Sequence, residues 1–220
     1  IPYLDSEGGS PTNTDADGRT MYAGYITTDQ TWTASNAVVL VGETIMEDRL
    51  TLGAGATVRS RGNRLTVFGE IVSNATASAP VVFRSDRSNP SAGDWTGVTL
   101  KSSSTADFAH WQIRHARTGI TFQNWTGTNQ VTGLDIAEVS DRGALIQGGS
   151  IDAENWSVTQ SGGDGVTVEN GGELAISGGS FTGIAGTALG IEGATGIVDG
   201  AQVRDFGSTG IYVVGNAAQA

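Results

Sequence analysis

The chain has 220 residues, no Cys, and 23 acidic against 12 basic residues, for a formal net charge of −11. The missing Cys excludes disulfides, thiolate metal sites and Cys nucleophiles together, and the acidic balance repels phosphate backbones, so nucleic acid is not expected as a partner. Gly is high at 33 and Pro low at 4, which argues against collagen and Pro-rich disorder, and no run of 18 apolar residues offers a membrane span.

Residues 1–24 read as an acidic linker or leader, polar and rich in turn formers between Asp5 and Gly18. The chain starts at Ile1 rather than Met, with the expectation that a targeting segment has been removed. Within the leader, Asn13, Asp15 and Asp17 alternate ahead of Gly18, as in the first half of a calcium loop. They are the candidate metal ligands, with Ca²⁺ as the cofactor they would hold. Gly24 stands where a bidentate Glu would close such a site, and Met21 has no side-chain oxygen. A solvated linker is the competing reading.

Residues 25–220 form the second unit. Residues 25–35 are rich in Thr and aromatics and open it as a strand region. Short apolar runs follow, broken by Gly and polar residues. In Leu50-Thr51-Leu52, Leu65-Thr66-Val67 and Val98-Thr99-Leu100 the aliphatics alternate with Thr, which puts them on opposite faces of a strand. No segment keeps a 3.6-residue apolar period, so almost no helix is expected.

From residue 108 onward the runs repeat. The second residues of five successive runs are Ile120, Ala144, Val166, Ala188 and Ile211, steps of 22 to 24 residues. A second column holds Trp111, Leu134, Trp156, Gly178 and Ala201, and a third holds Ile113, Ile136, Val158, Ser180 and Val203. Such a period is that of a solenoid. Short strands with corners every few residues then stack turn on turn, about 4.8 Å apart, around an aliphatic ladder. The expected fold is all-β, a right-handed parallel β-helix of roughly eight rungs. Trp111, Ile113, Leu134, Ile136, Trp156 and Val158 are expected to point inward.

The segment 25–100 carries a resemblance as well. Thr31-Trp32, Leu50-Thr51-Leu52, Leu65-Thr66-Val67 with Gly69, Pro80 with Phe83 and Ser85, and Gly93-Asp94-Trp95 occur in the order found in bacterial parallel β-helix proteins. These are secreted or surface-exposed proteins similar in fold to pectate lyases. Thr96 and Ala54 depart from residues usual in that pattern, Gly and Pro. The resemblance implies the fold and a secreted or cell-surface location. It does not imply one activity, since the fold carries enzymes, adhesins and passive spacers.

His110, Arg114, His115 and Arg117 form the most basic spot of the repeat region. They are the place to look for an anionic-sugar site. On the repeat, Arg114 aligns with Ala137, Thr159 and Phe181, so no second catalytic group stacks beside it. Asp135, Asp141, Asp152, Glu154 and Asp164 share no column from which an acid and base pair or a calcium trio could be assembled. No catalytic residue is assigned. The expected function is a non-catalytic secreted or cell-surface module acting as spacer, adhesin or self-assembling subunit. The alternative is a polysaccharide lyase or glycoside hydrolase acting on an acidic glycan. Partners expected are a polysaccharide or cell-surface ligand, and a second copy of the chain meeting the open end of the coil at the ordinary rung 210–216.

Overall fold

The computed structural model describes residues 14–101, 106–107, 109–126 and 130–215. Alternating short strands and tight corners wind these residues into a parallel β-solenoid. The first turn consists of β1 (Thr20–Ile26) and β2 (Gln30–Trp32), the second of β3 (Val38–Met46) and β4 (Leu50–Leu52). The third holds β5 (Thr57–Ser60), β6 (Arg64–Val67) and β7 (Ile71–Ser73), and the fourth β8 (Val81–Ser85), β9 (Gly97–Lys101) and β10 (Ala106–Asp107). The fifth holds β11 (Trp111–Arg114), β12 (Thr118–Trp125) and β13 (Gln130–Thr132), and the sixth β14 (Asp135–Val139) and the long β15 (Arg142–Glu154). The seventh is β16 (Ser157–Ser161), β17 (Asp164–Glu169) and β18 (Glu173–Ser177), and the eighth β19 (Ser180–Ile184), β20 (Leu189–Glu192) and β21 (Thr195–Asp199). Strands β22 (Gln202–Phe206) and β23 (Ile211–Val214) begin a ninth. Among the described residues there is no helix.

Every ladder between strands is parallel, and the ladders define three faces. The first runs from the start of β1 through β3, β5, β8, β11, β14, β16 and β19 to β22. The second runs from the end of β1 through β3, β6, β9, β12, β15, β17 and β20 to β23. The third stacks β2, β4, β7 and β10, and farther along β13, the end of β15, β18 and β21. Strand β1 begins at Thr20, inside the stretch assigned to the leader, because Thr20, Met21 and Tyr22 pair with Val38, Val39 and Leu40.

The inward columns are those the alternation specifies. Trp111, Ile113, Leu134, Ile136, Trp156 and Val158 are each at most 1% exposed. All five Trp side chains are buried, and the ring of Trp156 stacks on Phe122 at 6.1 Å. Two of the buried indole N–H groups find carbonyl acceptors: Trp95 donates to the Arg114 carbonyl at 2.8 Å, and Trp156 to the Val131 carbonyl at 2.7 Å, whereas the buried Trp32 Nε1 has no hydrogen-bond partner among the described residues.

One turn departs from the sequence register. Phe181, not Ser180, continues the column of Val158, Leu189 rather than Ala188 continues that of Val166, and Gly179 follows Trp156 one place beyond Gly178. For the same reason Arg114 aligns with Ala137, Thr159 and Thr182, not Phe181. The cause is the corner 170–172, which has three residues where the turn before it has two, Gly148 and Gly149. The extra residue falls about one turn earlier than an even spacing places it.

The corners stack as regularly as the strands. His115, Glu138, Gln160, Gly183 and Asp205 follow one another turn by turn at the end of the first face, with φ of 63°, 56°, 55°, 68° and 51°. That left-handed conformation is uncommon for any residue with a Cβ. Its recurrence at one place in five turns marks the bend that carries the chain from the first face to the second. His110 and Asn155, φ 54° each, occupy the equivalent bend before the first face, alternating with glycines. A different constraint acts at Gly143, where the second face begins. A Cβ there would stand 2.5 Å from the Gly165 carbonyl oxygen and 2.5 Å from a Val158 methyl. Gly119, Gly143 and Gly165 open three successive apolar runs because adjacent backbones crowd there, and Ala188 takes the position in the next turn.

Candidate functional site

The basic spot around β11 divides between two corners. His110 and His115 sit at opposite ends of the strand, both in the left-handed region. Arg114 lies on the outer side of the first face, where it forms an ion pair with Asp135 one turn on and donates to the Asp135 carbonyl at 2.7 Å. His115 reaches the next turn as well: its Nε2 is 2.8 Å from Glu138 Oε2. Arg117 and Asp141, and then Arg142 and Asp164, make looser pairs of the same kind at 3.7 and 3.9 Å. Each charged group here faces a partner in the adjacent turn.

The candidate acids are dispersed over the three faces. Asp135 is on the first. Asp141 and Asp164 stand at the corner leading into the second, where Asp164 also accepts from the Thr187 N–H at 2.8 Å. Asp152 and Glu154 belong to the third, and Glu154 accepts from Thr132 and Gln130 at 3.1 and 3.2 Å. Among the described residues no group of three or more His, Asp or Glu is placed to hold a metal ion.

A shallow groove of about 300 Å³ crosses the outer side of the second face. Thr99, Thr121 and Leu145 form its floor, with Gln123 and Gln147 on one side and Arg64, Arg117 and Asp141 on the other. Its floor residues are stacked neighbours from three successive turns. The groove offers hydroxyl and amide groups with a few charges at one rim, which suits a polar chain laid along the coil.

Asn13 lies outside the described residues. Asp15 and Asp17 form a turn that closes on Arg19. Asp15 accepts from the backbone N–H groups of Asp17 and Arg19, each at 3.0 Å, and from the Arg19 and Arg61 guanidinium groups at 2.8 and 2.9 Å. Burial pushes its carboxyl up, but those hydrogen bonds outweigh the effect and lower its pKa to about 2. Asp17 lies 3.0 Å from Arg19. A Ca²⁺ ion at this turn would compete with two arginines for Asp15.

Asp94 and Trp95 turn out to be an anchor. Asp94 takes hydrogen bonds from the Ser85 hydroxyl at 2.8 Å and the Ser91 N–H at 3.0 Å, and pairs with Arg87 at 3.2 Å. Desolvation raises its pKa, but the Ser91 and Ser85 hydrogen bonds and the Arg87 charge win, and the carboxyl is held below its ordinary range. These bonds close the long connection between β8 and β9. Sequence reasoning did not single out Arg59 and Arg84, which the structure sets side by side on the first face.

The geometry defines the class of protein: a three-faced parallel β-solenoid of about eight turns. The family model of the pectate-lyase-like beta helix domain matches residues 24–132, so the chain carries such a domain, and the same coil continues without a break in its stacking to β23. No curated protein and no solved structure matches the chain.

Proposed function

We propose that this chain is a non-catalytic β-helix module, secreted or held at a cell surface, that acts as a rigid spacer and adhesive surface. The supporting observation is the use of the ionisable side chains around β11. Arg114, His115 and Arg117 reach Asp135, Glu138 and Asp141 of the following turn, so they clamp turn to turn instead of converging on one reacting centre. Catalysis by a carboxylate pair needs two acids flanking a single bond, and the five candidate acids are shared among three faces. Polar outer columns suit a polysaccharide or another cell-surface ligand. Self-association belongs to the same reading: Ile211, Tyr212, Val213 and Val214 of β23 are 42% to 57% exposed, and a second copy stacked on the coil would cover them.

The groove on the second face favours a second reading, a lyase or hydrolase of an acidic glycan using Arg117 and Asp141. One experiment separates the two. The protein is incubated with polygalacturonate and with alginate, with and without Ca²⁺, and reducing ends and unsaturated products are measured. The expected result is no product with either polymer. Turnover abolished by Arg117→Gln or Asp141→Asn would replace the first reading with the second. Sedimentation across a hundredfold concentration range tests the assembly, which is lost if the sedimentation coefficient stays that of a monomer throughout.

A further inference from the structure

Arg59 and Arg84 are direct partners in the ladder between β5 and β8, on the outer side of the first face. Partners across such a ladder stand about 4.8 Å apart. Two like charges at that spacing repel, and native surfaces place counter-charges between them. Among the described residues Asp86 is the carboxylate that acts on Arg59, and it is engaged elsewhere, as are Asp15 and Asp17 beside it. Asp86 lies 2.5 Å from Arg19 and 2.7 Å from Arg61, Asp15 binds the same two arginines, and Asp17 binds Arg19. The next arginine of the column, Arg114, follows Ile113, the partner of Phe83, and it is held by Asp135. Among the described residues that leaves Arg59 and Arg84 without an ion pair, and Arg84 Nε is buried with no hydrogen-bond acceptor there. Burial and the neighbouring Arg84 charge also hold the Arg59 pKa below its ordinary value, with Asp86 opposing them in part.

We propose that Arg59 and Arg84 form an oxyanion-binding pair, which takes a sulfate, phosphate or carboxylate group of an external ligand between two guanidinium forks. The forks supply planar, paired N–H donors that match such groups. An anion between them supplies the counter-charge. On a chain of net charge −11, this local excess of cations is what a negatively charged ligand would find. The pair lies on the first face and the groove on the second, and the proposal stands or falls independently of whether the module is catalytic.

The test uses the whole chain at low ionic strength, with calorimetry and thermal melting as readouts. The probes are inorganic sulfate, inorganic phosphate, polygalacturonate and heparin. Wild type is expected to bind at least one of them and to melt at a higher temperature in its presence. Arg59→Gln with Arg84→Gln should weaken that binding at least tenfold, while Arg84→Lys, which keeps the charge and loses the fork, should weaken it less. Arg204→Gln, an exposed position farther along the same column, should bind as wild type does. Without ligand, Arg84→Gln should melt no lower than wild type, since it removes a repulsion. A polymer bound more tightly than either inorganic ion marks a chain-like ligand, and equal affinity marks a free small oxyanion. Binding of none of the four probes at millimolar concentration would overturn the proposal. So would a double variant that binds like wild type.

Discussion

At the scale of single residues, two kinds of side chain hold the coil together: those with no room to grow and those with too many hydrogen bonds to lose. Gly143 is of the first kind. Gly143→Ala drives a methyl group against a backbone oxygen and a Val158 methyl of the packed core, and should cost about 1–3 kcal/mol in urea unfolding. Gly215→Ala, with no neighbour within 4 Å, should be neutral. Asp94 is of the second kind. Asp94→Ala removes charge-assisted bonds from Ser85, Ser91 and Arg87, for a loss of roughly 2–3 kcal/mol. The pH dependence follows from the direction of the shifts. Asp15 and Asp94 both have folded pKa values below those of the unfolded chain. Their contribution is complete above the unfolded carboxylate value near 4 and is lost as pH falls through the folded values, about 2 for Asp15. Acid titration of the melting temperature should therefore fall mainly below about pH 4, and more gently in Asp94→Ala.

At the scale of elements, the alternation along each strand makes position parity decisive. Ile136 is fully buried in β14, and Ile136→Asp leaves an unpaired charge in the core at a cost of several kcal/mol. Thr159 lies one turn on, in the neighbouring outward column. Thr159→Asp should change stability by about 0.5 kcal/mol or less. Equal melting temperatures for the two variants would contradict the inward and outward assignment. This level was the most legible in the sequence. Trp111, Leu134 and Trp156 lie where their spacing places them, because a buried column tolerates no slip. The eighth turn slipped by one residue because Ser180 and Phe181 are adjacent and both fit an even count. Nothing in the composition of Asn170-Gly171-Gly172 announces that it is one residue longer than the equivalent corner before it.

At the scale of the whole molecule, stability is a chain of nearest-neighbour terms, each turn contacting the turns on either side. Duplicating residues 135–156, one complete turn, should give a longer coil that melts near wild type. Inserting half that length should destroy the fold on its distal side, as read by loss of strand signal in circular dichroism. The same one-dimensional order explains what could not be read. Arg59, Arg84 and Arg114 form one outward column, yet their sequence steps are 25 and 30 residues. Connections of unequal length, such as the one between β7 and β8, hide the alignment of Arg59 with Arg84. His110 and His115 drew notice as rare residue types. Their positive φ, which explains their place at the bends, leaves no mark in a sequence that gives no backbone angles.

The parallel ladders also say how the protein would respond to pulling. Strands lie across the coil, so the hydrogen bonds between turns point along its axis. Tension applied at the two ends therefore loads one interface between turns at a time, and the terminal turn comes away before its neighbour carries the load. Each turn releases 22 or 23 residues through the regular part of the coil, a gain of roughly 75 Å of extended chain. Stretching a single molecule should give a sawtooth with that spacing or its multiples, with the height of each peak set by how well one turn grips the next.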